Sequence, residues 1–368
     1  MPDAFALADE VGPSKVVYLQ EPAAGLRAVV AIDNVACGPA IGGVRMAADA
    51  SAEEAVRLAR AMTWKNAAAG LPHGGGKSVI LADPARPEAE KERLLRAFAC
   101  AIRDLEEYIP GPDMGTDERC MGWVHDEIGR AVGLPPELGG IPLDEIGATG
   151  FGLAVCAEVA QKFCGLELAG ARVAVQGFGA VGRHAARFLA ERGAVLVAAA
   201  DSRGSLVLET GIDLEPLGRI KAEGGSVVDF PAGKKLDRDA ILDVDCDIWI
   251  PAARPDVVRA ENAERLRCRL VLQGANIPVT PEAEARLHAR GVLSVPDFIA
   301  NAGGVICAAV EYHGGTRRLA FETIEERIRE NTRRVLEQSE RSGRPPREAA
   351  VALAEARVRA AQRLRRWS

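Results

Sequence analysis

Short apolar runs recur along the second half of the chain, separated by stretches with helical periodicity. The runs of strand length are Arg172 to Gln176, Val195 to Ala200, Asp247 to Ile250, Leu270 to Leu272 and Leu293 to Val295. Strands that alternate with helices in this order are typical of a doubly wound parallel sheet. We therefore expect this half to form a Rossmann-like α/β domain.

The first half of the chain carries strand and helix signals of its own. Ala28 to Ile32 is an apolar, β-branched run that ends at a turn signal, and it predicts a strand. A capping box of Ser51 and Glu54 predicts the start of a helix that runs to about Ala68. A second helix is predicted from Glu88 to Tyr108, and the sequence IPGPDMGTDE after it predicts an irregular loop.

These patterns predict two α/β domains, for which 368 residues are sufficient. The sequence becomes small and glycine-rich between Ile146 and Gly152, so we place the boundary there, with one domain over residues 1–147 and the other over residues 148–343. From about Thr316 onward the chain is charged and amphipathic. The SGRPP break at Ser342 to Pro346 separates two predicted helices, of which the last covers Arg347 to Arg365.

Composition and charge exclude several classes of protein. A net charge of −6 and a mean hydropathy near zero indicate a soluble globular protein without a nucleic-acid footprint. No apolar run reaches the length of a membrane span and no secretion signal is evident, so a cytoplasmic location is expected. The eight cysteines and five histidines are dispersed, which predicts reduced, structural cysteines and no metal site.

A dinucleotide fingerprint follows the first strand of the second domain. It matches GxGxxG and consists of Gly177, Phe178, Gly179, Ala180, Val181 and Gly182. Between a predicted strand and a predicted helix, this motif indicates a pyrophosphate held at a helix N-terminus. Asp201 ends the next strand, where its carboxylate could accept hydrogen bonds from ribose hydroxyls. Asp201 favours NAD over NADP, although Arg203 weakens that preference because it could pair with a 2′-phosphate.

Two lysines, Lys65 and Lys77, flank a glycine run in TWKNAAAGLPHGGGKS. Gly74 to Gly76 allow unusual backbone conformations and close approach to a ligand, which would place Lys77 at the floor of a pocket. Burial there, with Lys65 as a second cation, would lower the pKa of Lys77 toward roughly 7 to 8. Such a lysine can transfer protons, and Asp113 in the later loop completes a coherent set.

The glycine run has other interpretations. It is similar to the phosphate-binding pattern GxxxxGK[ST], but Gly70 stands one place too early and no apolar strand precedes it. A structural loop with a solvated lysine would be favoured if Lys77 stood alone. His73 either contacts a ligand or lines the loop, and the second interpretation is favoured.

Seven segments in order resemble the glutamate/leucine/phenylalanine/valine dehydrogenase family between about residues 26 and 310. They are GPAIGGVRM, MTWKNAAAGLPHGGGK, GPDMGT, ATGFG, QGFGAVG, QGANIPVT and PDFIANAGGVI. The resemblance implies a substrate-binding and catalytic domain over residues 1–147, to which the C-terminal helix at 344–368 returns. It also implies an NAD(P)-binding domain over 148–343, a cleft that closes over both ligands, and a homo-oligomer.

The resemblance further implies NAD(P)-dependent oxidative deamination of an L-amino acid to its 2-oxo acid and ammonia, or the reverse amination. Lys65 would hold the substrate α-carboxylate, Lys77 would activate water against the imine, and Asp113 would pass protons to and from the nitrogen. The family positions near the nicotinamide are matched by Thr149, Asn276 and Asn301.

The side chain of the substrate is predicted from two positions. Where the glutamate branch has a lysine before the GG pair and a serine after NAGG, this chain has Ile41, followed by Gly42 and Gly43, and Ala308. A carboxylate buried against Ile and Ala would lose hydration without gaining a partner, which favours an apolar substrate of the Leu, Val, Ile or Phe type. The alternatives are a glutamate dehydrogenase and a catalytically silent nucleotide-binding sensor.

Overall fold

A computed structural model describes residues 7–365, which form parts of two compact units. Within the described residues, unit 1 comprises 7–143, 305–323 and 351–365, and unit 2 comprises 144–304 and 324–350. The observed division differs from the expected one in three places. Residues 144–147 belong to unit 2, residues 305–323 belong to unit 1, and the first residues of the C-terminal helix, up to 350, belong to unit 2.

Unit 1 is built on a five-stranded mixed sheet with the order β1-β2-β4-β3-β5. Its strands are β1 (Lys15–Glu21), β2 (Leu26–Asn34), β3 (Ala40–Ala47), β4 (Gly74–Leu81) and β5 (Tyr108–Pro112). Strand β3 pairs in parallel with β4 and β5, while β2 is antiparallel to β1 and β4. The helices are α1 (Ala52–Ala68), α2 (Glu88–Ala101) and α3 (Glu118–Ile128).

Strand β2 shows why both faces of this sheet are covered. Its residues Ala28, Val30 and Ile32 contribute to a core with the apolar sides of α2 and α3, whereas Val29 and Ala31 contribute to another with α1. Side chains alternate between the faces of a strand, so a run that is apolar at every position belongs between two layers. The predicted strand over residues 28–32 is therefore confirmed.

Helix α1 begins as predicted, but only half of the predicted capping box forms. The Ser51 side chain accepts a hydrogen bond from the backbone N–H of Glu54 at 3.1 Å. The Glu54 carboxylate binds the guanidinium of Arg45 instead of reaching back to the helix start. The Glu54 side chain, which was expected to cap α1, thus binds a residue of strand β3.

Two further predictions in unit 1 are wrong. The helix predicted from Glu88 to Tyr108 ends at Ala101, and Tyr108 begins β5, so part of the predicted irregular loop is a strand. The glycine run is not a loop either, since Gly74 to Lys77 form the first half of β4. A strand at this position also contradicts the phosphate-loop interpretation, which requires a loop between a strand and a helix.

Unit 2 contains a seven-stranded sheet with the order β12-β11-β10-β6-β7-β8-β9. The strands are β6 (Arg172–Gln176), β7 (Val195–Asp201), β8 (Gly204–Val207), β9 (Lys234–Leu236), β10 (Ile248–Pro251), β11 (Leu270–Leu272) and β12 (Leu293–Val295). All five predicted strands are confirmed within a residue, and they pair in parallel. The two antiparallel strands β8 and β9 were not predicted.

The remaining helices complete the chain. They are α4 (Leu143–Ile146), α5 (Ala148–Ala160), α6 (Ala180–Ala190), α7 (Leu214–Ala222), α8 (Pro281–Ala289), α9 (Asp297–Ala300), α10 (Gly303–Tyr312), α11 (Arg317–Ser342) and α12 (Pro346–Gln362). The last two are separated at the SGRPP break, as predicted. The predicted Rossmann-like α/β fold class is confirmed. Among residues 7–365, no helix combines the length and apolar character needed to cross a lipid bilayer.

Candidate active site

The glycines before Lys77 allow close packing around strand β4. A Cβ added at Gly75 would lie 2.1 Å from the backbone nitrogen of Thr63 in α1, and one at Gly76 would lie 2.8 Å from the Tyr108 ring. None of the three glycines has a positive φ, so close approach and not an unusual backbone conformation requires them. Lys77 follows in the same strand and is 4% exposed, which confirms the prediction that it is buried.

Lys77 belongs to a chain of four charged side chains in unit 1. Its Nζ lies 2.9 Å from Oδ1 of Asp113, and the Nε of Arg45 donates to Oδ2 of the same carboxylate at 2.8 Å. Arg45 Nη1 binds Glu54 at the start of α1. The Asp113 carboxylate thus lies between the amine of Lys77 on β4 and the guanidinium of Arg45 on β3.

Burial and charge determine the protonation states in this cluster. Burial lowers the pKa of Lys77, Asp113 opposes that change, and Arg45 adds to it. Burial also disfavours the ionised form of Asp113, but Lys77 and Arg45 outweigh it and lower the pKa of the carboxyl. The sequence assigned the second cation to Lys65, whereas the structure identifies Arg45 as a cation that disfavours the Lys77 ammonium.

The side chains proposed to select the substrate lie together. Ile41 and Ala308 form one buried apolar cluster with Ile109 and Val132. Ile41 is 3% exposed and Ala308 is 6% exposed. All four residues belong to unit 1, the unit that also carries Lys77 and Asp113.

Three other residues predicted for the site, Lys65, Gly42 and Gly43, also belong to unit 1. Lys65 is buried in the last turn of α1, the helix that packs on β4. A Cβ at Gly43 would lie 2.7 Å from Cβ of Asp113 and 3.1 Å from Nζ of Lys77, so this glycine adjoins the ion pair. A Cβ at Gly42 would lie 1.6 Å from the carbonyl oxygen of Gly76, so Gly42 allows β3 and β4 to pack.

His73 makes contacts through both of its ring nitrogens. Nδ1 lies 3.1 Å from the carbonyl oxygen of Pro39, and Nε2 lies 3.1 Å from Nε2 of His313. Its ring also meets Tyr312 edge to face. These contacts support the interpretation in which His73 lines the backbone before β4.

The dinucleotide fingerprint forms the turn from β6 into α6, as its sequence predicts. Gly177 has a φ of 95°, and a Cβ there would lie 2.7 Å from Ala253. Gly179 caps α6 without a side-chain hydrogen bond, and a Cβ added to it would meet nothing within 4 Å. The start of the helix thus has open space beside Gly179 and no side-chain cap, which fits a cofactor pyrophosphate at this end.

Asp201 ends strand β7, but its carboxylate is fully engaged. Oδ1 accepts from the hydroxyl of Ser226 at 2.8 Å and the backbone N–H of Arg203 at 3.0 Å. Oδ2 accepts from Nζ of Lys221 at 2.7 Å and the backbone N–H of Val227 at 2.9 Å. Burial alone would raise the pKa of this carboxyl, but these donors outweigh it and lower the pKa to about 2.

Two of the three residues carried over for the nicotinamide are in contact. The side-chain nitrogen of Asn301 donates to the carbonyl oxygens of Gly274 and Ala275 and to Oδ1 of Asn276, at 3.1 to 3.2 Å. The Oδ1 of Asn301 is buried without a hydrogen-bond partner. Thr149 lies in the first turn of α5. An unsatisfied buried acceptor next to this loop fits a site that a cofactor amide completes.

Sequence reasoning missed Arg45 and the role of Glu54. Arg45 is the one charged residue in the otherwise apolar strand AIGGVRMA, and an arginine in such a run needs a buried partner. That signal could have identified it as part of the site. Its partner Asp113 lies 68 residues further along the chain, so the pairing itself could not be read from spacing.

Comparison with known proteins supports the resemblance to the glutamate/leucine/phenylalanine/valine dehydrogenase family. The family model for Glutamate/Leucine/Phenylalanine/Valine dehydrogenase matches residues 139–366, and the model for the Glu/Leu/Phe/Val dehydrogenase dimerisation domain matches residues 13–130. The glutamate dehydrogenase of Aeropyrum pernix is 41% identical over 358 residues, which cover 91% of this chain and 85% of that protein.

Two further proteins agree with this result. The NADP-specific glutamate dehydrogenase of Saccharolobus shibatae is 39% identical over 293 residues, covering 76% of this chain and 69% of that protein. A crystal structure of the hetero-hexameric glutamate dehydrogenase of Thermus thermophilus, in a Leu-bound form, is 30% identical with a TM-score of 0.86, covering 96% of this chain and 90% of that one. The chain belongs to the glutamate/leucine/phenylalanine/valine dehydrogenase family, whose members are oxidoreductases that act on the CH–NH₂ group of amino acids with a nicotinamide cofactor.

Proposed function

We propose that this protein catalyses the reversible oxidative deamination of an L-amino acid. Amino acid, water and NAD(P)⁺ give the 2-oxo acid, ammonium, NAD(P)H and one proton. The observation that carries the proposal is the buried pair of Lys77 Nζ and Asp113 Oδ1, 2.9 Å apart, beside the side-chain-free Gly43. A lysine and a carboxylate in such a position can exchange protons with water and with a substrate nitrogen.

Each residue has a distinct part in this proposal. When bound, a nicotinamide cofactor would supply the oxidation by taking a hydride from the substrate Cα, so that an iminium open to attack by water would remain. Neutral Lys77 takes a proton from the attacking water, and Asp113 transfers protons to and from the nitrogen until ammonia leaves. Lys65 holds the α-carboxylate. Thr149, Asn276 and Asn301 hold the nicotinamide side of the cofactor, and the turn from Gly177 to Gly182 holds its pyrophosphate.

L-Glutamate is the first candidate substrate. The names of the related proteins favour it, since those of Aeropyrum pernix and Saccharolobus shibatae are both glutamate dehydrogenases. These relatives do not support the apolar substrate that we predicted from the sequence. In this case the γ-carboxylate must find a partner other than Ile41 and Ala308.

An apolar L-amino acid is the second candidate, and one observation favours it. Ile41 and Ala308 pack with Ile109 and Val132 into one buried apolar cluster. A carboxylate placed against such a surface would lose several kcal/mol of hydration. A branched aliphatic or aromatic side chain would bury apolar area there.

NAD is the proposed cofactor, although a relative is named as NADP-specific. With a pKa of about 2, Asp201 is ionised at neutral pH and would repel a 2′-phosphate, and Lys221, 2.7 Å from its Oδ2, offsets part of that charge. Arg203, the residue that could offset this repulsion, pairs with Asp229 at 3.0 Å. A 2′-phosphate would therefore have to compete for an arginine that already has a partner.

Self-association and a cytoplasmic location are also part of the proposal. The match to a dimerisation domain over residues 13–130 supports a homo-oligomer. The eight cysteines all lie in the described part of the chain and are free thiols, as expected in a reducing compartment.

One assay tests the proposal. Initial rates are measured for purified protein with NAD and with NADP against L-glutamate, L-leucine, L-valine, L-isoleucine and L-phenylalanine. Turnover of any of these amino acids supports dehydrogenase activity, and the ratio of their kcat/KM values decides between the two substrates. If a folded protein that binds NADH turns over none of these amino acids with either cofactor, the catalytically silent sensor remains as the function.

A further inference from the structure

Arg45 shares the Asp113 carboxylate with Lys77. Its Nε donates to Oδ2 at 2.8 Å, and Nζ of Lys77 lies 2.9 Å from Oδ1. The side chain of Arg45 is 13% exposed and that of Asp113 is 16% exposed, so water screens this contact only weakly. The two oxygens of Asp113 thus have different neighbours, and one of them faces an arginine that stays charged at every working pH.

Glu54 fixes Arg45 from the other side. It binds Nη1 of the guanidinium, and it sits in the first turn of α1, whose start is capped by Ser51. A guanidinium held at both ends cannot turn away from Asp113 without breaking an ion pair. Helix α1 therefore acts on Asp113 through Arg45.

We propose that Arg45 is a positioning residue for the reaction, which keeps Asp113 ionised and oriented through Oδ2 while Oδ1 and the neutral Lys77 nitrogen remain available for proton transfer. The inference rests on the proposed function. It assigns Arg45 a part that does not require contact with substrate or cofactor.

A buried lysine–aspartate pair without a further cation holds the lysine in its charged form. If Lys77 lost its proton and Asp113 had no other cation, the buried carboxylate would be left uncompensated, which is costly. The lysine would then be kept charged by its partner and could not act as a base. Arg45 weakens this coupling, because its charge compensates Asp113 whichever form Lys77 takes.

The surrounding charges act in opposite directions on Lys77. Arg45 on β3 lowers the pKa of Lys77, whereas Asp113 and Glu54 raise it, and burial is the largest effect. Other titratable groups on the elements packed against β4 are the buried Lys65 of α1, the buried Tyr108 of β5, and the buried Asp33 of β2, whose carboxylate binds Arg60 of α1. Removing Arg45 or Glu54 should therefore move the pKa of Lys77 in opposite directions.

Three variants test the proposal: Arg45→Gln, Arg45→Lys and Glu54→Gln. In the pH profile of kcat, the limb that requires neutral Lys77 should move to higher pH in Arg45→Gln and to lower pH in Glu54→Gln. Arg45→Gln should also lose about 10- to 100-fold in kcat, because Asp113 is no longer oriented. Arg45→Lys keeps the positive charge but loses the guanidinium group that contacts Asp113 and Glu54 together. The limb of its kcat profile should therefore stay at the wild-type pH, while kcat falls by a smaller factor than in Arg45→Gln.

A second readout does not depend on turnover. The pH dependence of Lys77 acetylation by acetic anhydride, followed by mass spectrometry of its peptide, reports the pKa of Lys77 directly. It should rise in Arg45→Gln and fall in Glu54→Gln. Arg96→Gln, which removes an arginine ion-pair group on α2 in the same unit, should leave both readouts unchanged.

The outcomes separate this inference from the proposed function. If the wild-type protein does not turn over any amino acid, the function fails, and the acetylation shifts alone decide whether Arg45 controls Lys77. If a folded Arg45→Gln protein has the wild-type kcat profile and the wild-type Lys77 acetylation curve, Arg45 is only structural and the inference is wrong. Equal shifts in Arg45→Gln and Arg96→Gln would also overturn it.

Discussion

Ile41 and Ala308 lie in one buried apolar cluster, although β3 carries the first and α10 the second. Ile109 of β5 and Val132 complete the cluster. The two positions from which we predicted the side chain of the substrate are thus neighbours in space. A substrate side chain that reaches this cluster meets both of them.

Exchanging these two residues should change the choice of substrate. In Ile41→Lys/Ala308→Ser, an ammonium and a hydroxyl replace apolar surface, so the ratio of kcat/KM for glutamate over leucine should rise on the order of 100-fold. Initial rates with both amino acids measure this ratio. Ile41→Leu is the matched control and should leave the ratio within a few fold. An unchanged ratio in a folded double variant would mean that the cluster does not contact the substrate side chain.

Lys77→Ala should abolish turnover with little change in NADH binding. The variant removes the proposed base, and loss of general base catalysis costs about 10²- to 10⁴-fold in kcat. Steady-state rates and NADH fluorescence titration give the two quantities. Asp113→Asn should also lose most of its turnover. A Lys77→Ala protein with kcat within tenfold of wild type would contradict the part assigned to Lys77.

Lys65→Ala should act on binding more than on chemistry. If Lys65 holds the α-carboxylate equally in the ground state and the transition state, its loss raises the amino-acid KM by about 10- to 100-fold and leaves kcat nearly unchanged. Lys15→Ala, at a half-exposed lysine of the same unit, should change neither constant. A fall in kcat with an unchanged KM would instead place Lys65 in the chemical step.

Asp201 should make the stability of the protein depend on pH below about 4. Its pKa is lowered from 3.8 to about 2 in the folded state, so its contribution is complete above pH 4 and disappears as pH falls through 2. The melting temperature of Asp201→Asn should therefore lie below that of wild type at pH 7, and the difference should shrink between pH 4 and pH 2. Glu209→Gln, at an exposed position, is the control. A constant difference over this range would contradict the lowered pKa.

The strands of unit 2 could be predicted because each parallel strand is a short apolar run buried between two layers. The three-residue strand β9, with the sequence KKL, is exposed along its length and carries no such signal. Strand β4 was missed for a different reason. Its first three residues are glycines, which are poor strand formers, and they are tolerated only because Thr63 and Tyr108 pack where side chains would be.

Individual residues of the site could be predicted from the sequence, but the contacts between them could not. The burial of Lys77 and the turn at Gly177 follow from local sequence. The pairing of Arg45 with Asp113 depends on the order of strands β3 and β5 in the sheet, which one sequence does not specify. For the same reason Glu54 was predicted to cap its own helix, which is a local contact, whereas its partner Arg45 lies on strand β3.

Gly75 is expected to control both stability and the relation of α1 to β4. A Cβ at this position would lie 2.1 Å from the backbone nitrogen of Thr63 and 2.5 Å from the carbonyl oxygen of Ala59. Both atoms belong to the helix backbone, so Gly75→Ala must push α1 away from the strand. We expect a loss of about 1 to 3 kcal/mol in unfolding free energy, as for other overpacked cores.

The same displacement should reach the substrate site, because Lys65 lies in α1 just after Thr63 and Lys77 lies in β4 just after Gly75. Gly75→Ala should therefore raise the amino-acid KM as well as lower the melting temperature. Gly218→Ala is the matched control, because a Cβ there meets nothing within 4 Å and the residue lies inside helix α7. That variant should be more stable by about 0.5 to 1 kcal/mol, with unchanged kinetics. A Gly75→Ala protein with wild-type stability and KM would show that α1 and β4 can separate without cost, and that their close contact does not hold Lys65 in place.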